Sequence, residues 1–256
     1  MRLPAQHVSV FQESMIREMT RRAHQVGAIN LAQEFPDFGP PRELLEAAQR
    51  ALADGYNQYA ITGEPPSSAP RSRTSWSAPQ GSDPERHLTV TCGATEAMSK
   101  TSSVTGWRVG WAAVLDDALS GAIRKAHDFR TVGAASPLQQ AGVVALRFPD
   151  RSYWDMVQSY QRKRDLLLGT LQEAGFRPTV PGGAYDIMAD FTAPSEEGDV
   201  RLALRLVEEV GVAAVPGSSF FHEPSLGRRY VRFAYPKREQ TLEEAARPLA
   251  RLEARR

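Results

Sequence analysis

Length, composition and charge narrow the possible functions before any motif is considered. The 256 residues suffice for one large domain or two modest ones with a real hydrophobic core. Lysine and arginine total 31 against 30 acidic residues, and the formal charge of +1 gives no broad electrostatic case for a nucleic-acid or anionic-membrane partner. The single cysteine, Cys92, excludes an internal disulfide framework, and no apolar run is long enough to span a bilayer. We therefore expect a cytoplasmic protein without an export signal or a membrane anchor.

The first 55 residues predict a helix, an extended segment and a second helix. Residues 8–22 have amphipathic helical spacing, and residues 29–38 are expected to be extended because three prolines in and after this segment stop a helix. Pro41 suits the first position of the second helix, whose apolar residues recur at helical spacing until Gly55 ends it.

Residues 65–87 differ in composition from the rest of the chain. They contain no Leu, Ile or Val and are rich in serine and proline, which lack both the helical propensity and the apolar face that would stabilise a helix. Two explanations stay open, a flexible linker and a local slip of the reading frame.

Residues 88–98 combine a predicted strand, a glycine turn and the start of a helix. Leu88, Val90 and Cys92 alternate as strand residues before Gly93. Unpaired backbone amides and the helix dipole attract anions at a helix N-terminus. The segment therefore predicts an anion site, weakened because the helical stretch has barely one turn.

The next motif, SKTSSVTGWRVGW at residues 99–111, contains a candidate nucleophile and a candidate phosphate ligand. Lys100 is surrounded by serines and threonines, which leave room for a ligand and can donate hydrogen bonds to it. Arg108 lies between Gly106 and Gly110, where backbone can approach a ligand closely, and a guanidinium can hold a phosphate through two parallel hydrogen bonds. Together they suggest an aldehyde cofactor that carries a phosphate. The alternative is a turn whose lysine and arginine face water.

The second half of the chain predicts a sheet covered by helices. Residues 116–128 have helical spacing with Leu119 on the apolar face, and a long helix is expected over residues 154–171. Within the long helix the basic run at residues 162–164 is expected to face water. Further helices are predicted at residues 137–146 and 200–207, and strands at residues 185–191, 212–215 and 231–235.

The last strand and the last helix contain specific side-chain predictions. Arg232 lies on the strand face opposite Val231 and Phe233, where it is either a surface residue or a ligand for a carboxylate. Thr241 and Glu244 have the spacing of a capping box at the start of the final helix.

Several motifs occur in the order found in one enzyme family and cover most of the chain. The chain resembles the fold-type-I, class I/II pyridoxal-phosphate-dependent aminotransferases, in particular the branch of the kynurenine and methionine aminotransferases. Besides residues 99–111, the motifs are INLAQEFPDFGPP at 29–41, NQYA at 57–60, TVTCGATEAM at 89–98, IRKAHDFRTVGAASPLQ at 123–139, PGGAYDIMADF at 181–191 and YVRFAYPK at 230–237.

This resemblance implies a function, a cofactor and a role for particular residues. The family transfers an amino group between an amino acid and a 2-oxo acid through pyridoxal 5'-phosphate. Lys100 matches the lysine that forms the Schiff base, and Arg232 matches the arginine that binds the substrate carboxylate. Ala94, Thr95 and Arg108 match residues that bind the cofactor phosphate in the family. Tyr59 matches a tyrosine that reaches across the homodimer to the phosphate of the other subunit's cofactor.

The chain departs from the family pattern in one large piece. The family has roughly a domain's worth of sequence between GATEA and SKT, whereas here Met98 runs directly into Ser99. The missing segment would carry the cofactor-stacking aromatic residue and the aspartate that keeps the pyridine nitrogen protonated, as an electron sink requires. We therefore expect impaired activity. The alternatives are a non-catalytic remnant or partner subunit, and a cofactor binder without turnover.

The resemblance also implies a domain organisation. We expect an α/β protein with an N-terminal arm at residues 1–40, a remnant of the large cofactor-binding domain at 41–145 and an intact small C-terminal α/β domain at 146–256. Within the arm, Glu34 stands where the family usually has glycine. Its carboxylate either repels an anionic substrate or turns outward.

Overall fold

The computed structural model of the chain describes residues 13–60, 88–92, 102–192, 195 and 197–252. Two compact units are formed, the first by residues 1–37 with 159–256 and the second by residues 38–158. No helix among the described residues is both long and apolar enough to cross a membrane. The helices are α1 (Met15–Val26), α2 (Arg42–Ala53), α3 (Asp117–Thr131), α4 (Ser136–Ala145), α5 (Asp150–Glu173), α6 (Asp199–Arg205) and α7 (Glu239–Leu249). The strands are β1 (Ile29–Asn30), β2 (Leu88–Cys92), β3 (Val109–Ala113), β4 (Arg177–Pro178), β5 (Asp186–Asp190), β6 (Val212–Ala213), β7 (Val215–Pro216) and β8 (Tyr230–Ala234).

The first unit is built on a four-stranded antiparallel sheet with the order β4-β5-β8-β7. Ile187 on β5 lies opposite Phe233 on β8, and both side chains are fully buried. Each such side chain contributes about 2 kcal/mol by leaving water. Leu171 of α5 and Leu242 of α7 join the same core, so these helices cover the sheet as the alternating strand pattern predicted.

The N-terminal segment packs within the first unit. β1 pairs in parallel with β6, and α1 buries Met19 and Ala23 against the π-helical turn at Leu206–Val210 and the strands β6 and β7. Gly27 ends α1 with φ of 70°, a left-handed conformation that costs glycine little. This packing places residues 31–37 beside β8, where the Ala234 amide donates to the Leu31 carbonyl.

The second unit contains a helix pair and an antiparallel strand pair. α2 packs against α4, with Leu44 and Ala48 of α2 in one core with Ala141 and Ala145 of α4. β2 pairs with β3 in a register that sets Cys92 opposite Val109. Residues 65–87 and the motif residues 93–101 lie outside the described part of the chain.

Three local predictions were wrong for identifiable reasons. The capping box fails because α7 begins at Glu239, and the Thr241 hydroxyl donates to Asp37 rather than to its own helix. The strand predicted over residues 212–215 is two short strands in different sheets. Leu119 of α3 is 54% exposed, because no described element covers that face.

The basic run of α5 does not face water throughout. Lys163 is buried with its Nζ 5.3 Å from the centre of the Tyr160 ring, and Arg164 donates to the Pro181 carbonyl. Burial lowers the pKa of Lys163, although the charges of Asp37 and Glu239 oppose this effect. Helical periodicity alone could not identify this burial, because the covering residues come from distant parts of the chain.

Candidate functional site

The predicted site residues fall into three groups. Lys100, Ala94 and Thr95 lie outside the described residues. Tyr59 and Arg108 lie in the second unit, and Arg232 lies in the first.

Tyr59 and Arg108 line the same cavity, although 49 positions separate them in the sequence. The cavity has a volume of about 700 Å³. Arg108 is the charged residue among its described lining residues, so the cavity is electropositive. The lining residues are Asn57, Gln58, Tyr59, Ala60, Trp107, Arg108, Thr131, Gly133, Ala134, Ala135, Ser136 and Pro137.

Arg108 is presented by a strained backbone. It ends a 3-10 turn at Thr105–Trp107 and has φ of 54° and ψ of 41°, a left-handed conformation. For a residue with a Cβ this conformation costs about 1–2 kcal/mol. β3 begins at the next residue, Val109, which pairs with Cys92. This register therefore places the end of β2 beside Arg108. The GATEA motif follows directly after β2 in the sequence.

The N-terminal end of α4 forms another wall of the cavity. Ser136 and Pro137 open this ten-residue helix, and its backbone amides carry the positive end of the helix dipole. The preceding loop is also strained, since Val132 has φ of 63°. A β-branched residue rarely adopts a positive φ. Strain at Arg108 and Val132 is thus located beside the same cavity.

Arg232 is buried among oxygen atoms, which excludes the surface alternative. It lies on β8 opposite Met188 of β5 and Val215 of β7, and only 8% of the residue is exposed. Its Nη1 is 2.5 Å from Glu34 Oε1 and 3.5 Å from Asp186 Oδ2. Nη2 donates to the Ala32 carbonyl over 3.2 Å, so the guanidinium is held largely by the chain's own oxygens.

The aromatic face of Phe220 covers the guanidinium. The Cζ of Arg232 lies 4.3 Å from the ring centre, a distance at which a cation is attracted to the ring. Phe220 belongs to the turn Gly217–Phe220, which follows β7 directly. Among the described residues, the buried Nε of Arg232 has no hydrogen-bond partner.

A buried lysine fixes the backbone on both sides of Glu34. Lys237 is 2% exposed, and its Nζ donates to the carbonyls of Gln33 at 3.1 Å and Phe35 at 2.8 Å. Its Nζ also lies 3.9 Å from the centre of the Phe35 ring. Burial lowers the pKa of Lys237 to about 8, while the charge of Asp37 opposes the change.

Asp37 attaches the same segment to the start of α7. Its Oδ1 accepts from the Arg238 amide over 2.6 Å, and its Oδ2 accepts from the Thr241 hydroxyl over 2.6 Å. A side chain from another part of the chain thus satisfies a helix-end amide. Sequence reasoning missed Lys237, Asp37 and Phe220. The YVRFAYPK motif ends on Lys237, which is the one signal that could have suggested it.

Several aminotransferases are similar to this chain in sequence. A kynurenine–oxoglutarate transaminase of Dictyostelium discoideum is 32% identical over 184 residues, which cover 64% of this chain and 41% of that protein. The methionine aminotransferase of Escherichia coli is 34% identical over 159 residues, which cover 62% of this chain and 41% of that protein. The aspartate/prephenate aminotransferase of Thermus thermophilus is 33% identical over 215 residues, which cover 83% of this chain and 52% of that protein. The chain thus spans about two fifths to one half of the length of these relatives.

Solved structures agree on the fold. The N-succinyldiaminopimelate aminotransferase of Mycobacterium tuberculosis superposes with a TM-score of 0.83 at 21% identity, over 98% of this chain and 100% of that chain. A methionine aminotransferase of Escherichia coli gives a TM-score of 0.83, also at 21% identity and with the same coverage of both chains. The family described as aminotransferase class I and II matches residues 76–249. The chain therefore belongs to the aminotransferase class I and II family and has the α/β fold of its fold-type-I members, as its motifs predicted.

Proposed function

We propose that this chain is an aminotransferase-like protein that binds pyridoxal 5'-phosphate, and that its transfer of amino groups between an amino acid and a 2-oxo acid is impaired. The observation that carries the proposal is that Tyr59 and Arg108, identified separately from two motifs, line one cavity. The family is generally dependent on this cofactor, and its relatives are named for the transfer of amino groups.

The residues of the cavity fit a phosphate group. Its volume of about 700 Å³ is within the usual range for a small-molecule site. Arg108 can offer two parallel N–H donors, and α4 the positive end of its dipole. The resemblance assigns Tyr59 to the partner subunit's phosphate, but here it lines the cavity of its own chain, where its O–H would be a further donor. Ala94 and Thr95, which follow Cys92 in sequence, would add backbone and hydroxyl donors.

The remaining roles follow from the chemistry of the side chains. Bound pyridoxal 5'-phosphate would supply an electron sink for reactions at an amino-bearing carbon. Lys100 Nζ is the amine that would hold the cofactor and move a proton at that carbon. Arg232 is the guanidinium suited to a substrate carboxylate, since it is buried and planar.

Weak turnover is expected because the chain lacks the segment that would follow Met98. The aspartate that keeps the pyridine nitrogen protonated is part of that segment, and the electron sink depends on it. We also propose a homodimer in the cytoplasm, with the arm at 1–40, the large-domain remnant at 41–145 and the small domain at 146–256.

The experiment uses the full chain and pyridoxal 5'-phosphate. We expect a long-wavelength absorbance band that disappears in Lys100→Ala, and mass spectrometry after borohydride reduction should locate the cofactor on Lys100. An unchanged band in Lys100→Ala would refute the assignment of this lysine. Rapid ping-pong turnover of an amino acid with a 2-oxo acid by pure protein would refute the proposed impairment.

Replacing Arg108 should separate backbone strain from anion binding. We expect Arg108→Gly to raise the free energy of unfolding by about 1 kcal/mol, since glycine adopts the left-handed conformation easily. The affinity for pyridoxal 5'-phosphate should fall by about tenfold or more, because two charge-assisted hydrogen bonds are lost. Urea unfolding and an absorbance titration measure the two effects.

Arg108→Lys is the matched control for this prediction. It keeps the positive charge and the strained backbone but loses the planar pair of donors. Its stability should equal that of the natural chain, and its affinity should be intermediate. Equal affinity of all three proteins would show that Arg108 is not a phosphate ligand.

The exposed apolar face of α3 supports a second candidate, a non-catalytic partner subunit. Phe129 is 91% exposed and Leu119 is 54% exposed on this helix. Apolar side chains on an uncovered helix favour association with another protein surface. Sedimentation velocity with and without the cofactor separates the candidates. A cofactor-dependent homodimer supports the first, and cofactor-independent association without a Lys100 adduct supports the second.

A further inference from the structure

We propose that Glu34 is a specificity-determining residue that occupies the carboxylate position on Arg232 and excludes carboxylate-bearing substrates from it. This inference rests on the proposed role of Arg232 as the carboxylate ligand. The exclusion would be a second cause, beside the segment missing after Met98, of the impaired transfer between an amino acid and a 2-oxo acid.

The contact between the two side chains has the geometry of a strong ion pair. The distance of 2.5 Å joins Arg232 Nη1 to Glu34 Oε1, across 198 positions of sequence. Arg232 is 9% and Glu34 20% exposed in their side chains, so water screens the pair little. A charge-assisted hydrogen bond in such surroundings is among the stronger polar contacts in proteins. An external carboxylate must displace it before binding to Nη1.

The segment around Glu34 is anchored, so displacement is difficult. Lys237 binds the carbonyls on either side of Glu34, and Asp37 binds the start of α7. These contacts hold the Glu34 carboxylate beside Arg232 at a high effective concentration, in the same way as a tethered ligand. Lys237 and Asp37 act as positioning residues, because their contacts reach Arg232 only through Glu34.

A second carboxylate adds an electrostatic barrier. Asp186 Oδ2 lies 3.5 Å from the same Nη1, so Arg232 carries one positive charge against two negative charges among its contacts. An entering carboxylate would be a third negative group. Like charges placed together in a partly desolvated site repel each other, which favours a neutral ligand over a carboxylate.

The test measures binding of propionate to the full chain by NMR titration, with propionamide as the neutral probe of the same shape. We expect Glu34→Ala to bind propionate at least about tenfold more tightly than the natural chain, because the competing carboxylate is gone. Arg232→Gln in the Glu34→Ala background should lose that gain. Binding of propionamide should change much less in each variant.

Two further variants control for folding and for general charge. Glu34→Gln keeps the size of the side chain and should show a smaller gain in propionate affinity if Glu34→Ala does not fold. Glu208→Ala removes a glutamate that pairs with Arg22 over 2.6 Å, and it should bind propionate as the natural chain does.

The outcomes separate this inference from the function on which it rests. If the natural chain binds propionate as tightly as Glu34→Ala and Arg232→Gln abolishes that binding, Arg232 is a carboxylate ligand and the exclusion by Glu34 is refuted. If folded Glu34→Ala and Glu34→Gln proteins both fail to bind propionate, the proposed role of Arg232 is refuted and the inference with it.

Discussion

Gly217→Ala is expected to lower the free energy of unfolding by about 3 kcal/mol or more. A Cβ at this position would lie 2.5 Å from the carbonyl oxygens of both Gly227 and Tyr230. These are backbone atoms, so no rotation of a side chain can relieve the overlap. The close approach is reciprocal, since a Cβ on Gly227 would lie 2.4 Å from the Gly217 carbonyl.

The same substitution should disturb the surroundings of Arg232. Gly217 begins the turn that carries Phe220, whose ring lies over the guanidinium. The neighbouring amide of Ser218 donates to Asp199 Oδ2 over 2.7 Å, which ties the turn to α6. Movement of the backbone at Gly217 would therefore displace both contacts.

Gly169→Ala is the matched control within the same unit. Gly169 lies inside α5, and a Cβ there would meet no atom within 4 Å. Alanine is the better helix former, so this variant should gain about 0.5–1 kcal/mol. Urea unfolding of both variants measures the difference. If Gly217→Ala unfolds at the same urea concentration as the natural chain, the close backbone approach does not exist in solution.

Elements whose apolar residues repeat regularly could be predicted from the sequence. α2 begins immediately after Pro41, and β5 begins with the alternation of buried and less buried positions that its sequence predicted. β8 differs, because every residue from Val231 to Ala234 is buried. In α2 and β5 the core covers mainly one side, so the local period of apolar residues shows which side is buried. The family motifs identified Tyr59 and Arg108, which periodicity could not have connected.

The contacts that define the Arg232 site could not be predicted in this way. Glu34 and Arg232 are 198 positions apart, and Asp37 reaches Arg238 across 201 positions. A capping box was expected at Thr241 because its own helix offered a plausible partner, whereas a distant carboxylate takes its hydrogen bond. Local patterns show which side chains need partners, and the tertiary fold decides which partner each receives.

Lys237 should make the stability of the protein rise between about pH 8 and pH 10. Its pKa is lowered from 10.5 to about 8 because burial disfavours the charged amine. Between these values the unfolded chain binds a proton that the folded chain has released. The free energy of unfolding therefore increases with pH, by at most about 3 kcal/mol over the full interval.

Other groups determine where the rise ends. The pKa of Lys163 is lowered by burial as well, which adds to the rise. Burial raises the pKa of Tyr235 to about 12 and also raises that of Tyr160, so above pH 10 the folded chain retains protons that the unfolded chain loses. Their effect has the opposite sign, and stability should pass through a maximum near pH 10.

Urea unfolding at a series of pH values tests this assignment in the natural chain, in Lys237→Met and in Lys163→Met. Lys237→Met should remove most of the rise, because methionine fills the same space and does not titrate. Lys163→Met should retain most of the rise in the free energy of unfolding, because Lys163 contributes less to that rise than Lys237 does. A rise of equal size in Lys237→Met would show that Lys237 is not the group responsible. The same variant also tests whether Lys237 positions Glu34. If Lys237→Met loses the rise in stability and also binds propionate more tightly than the natural chain, the buried amine helps to hold the Glu34 carboxylate on Arg232.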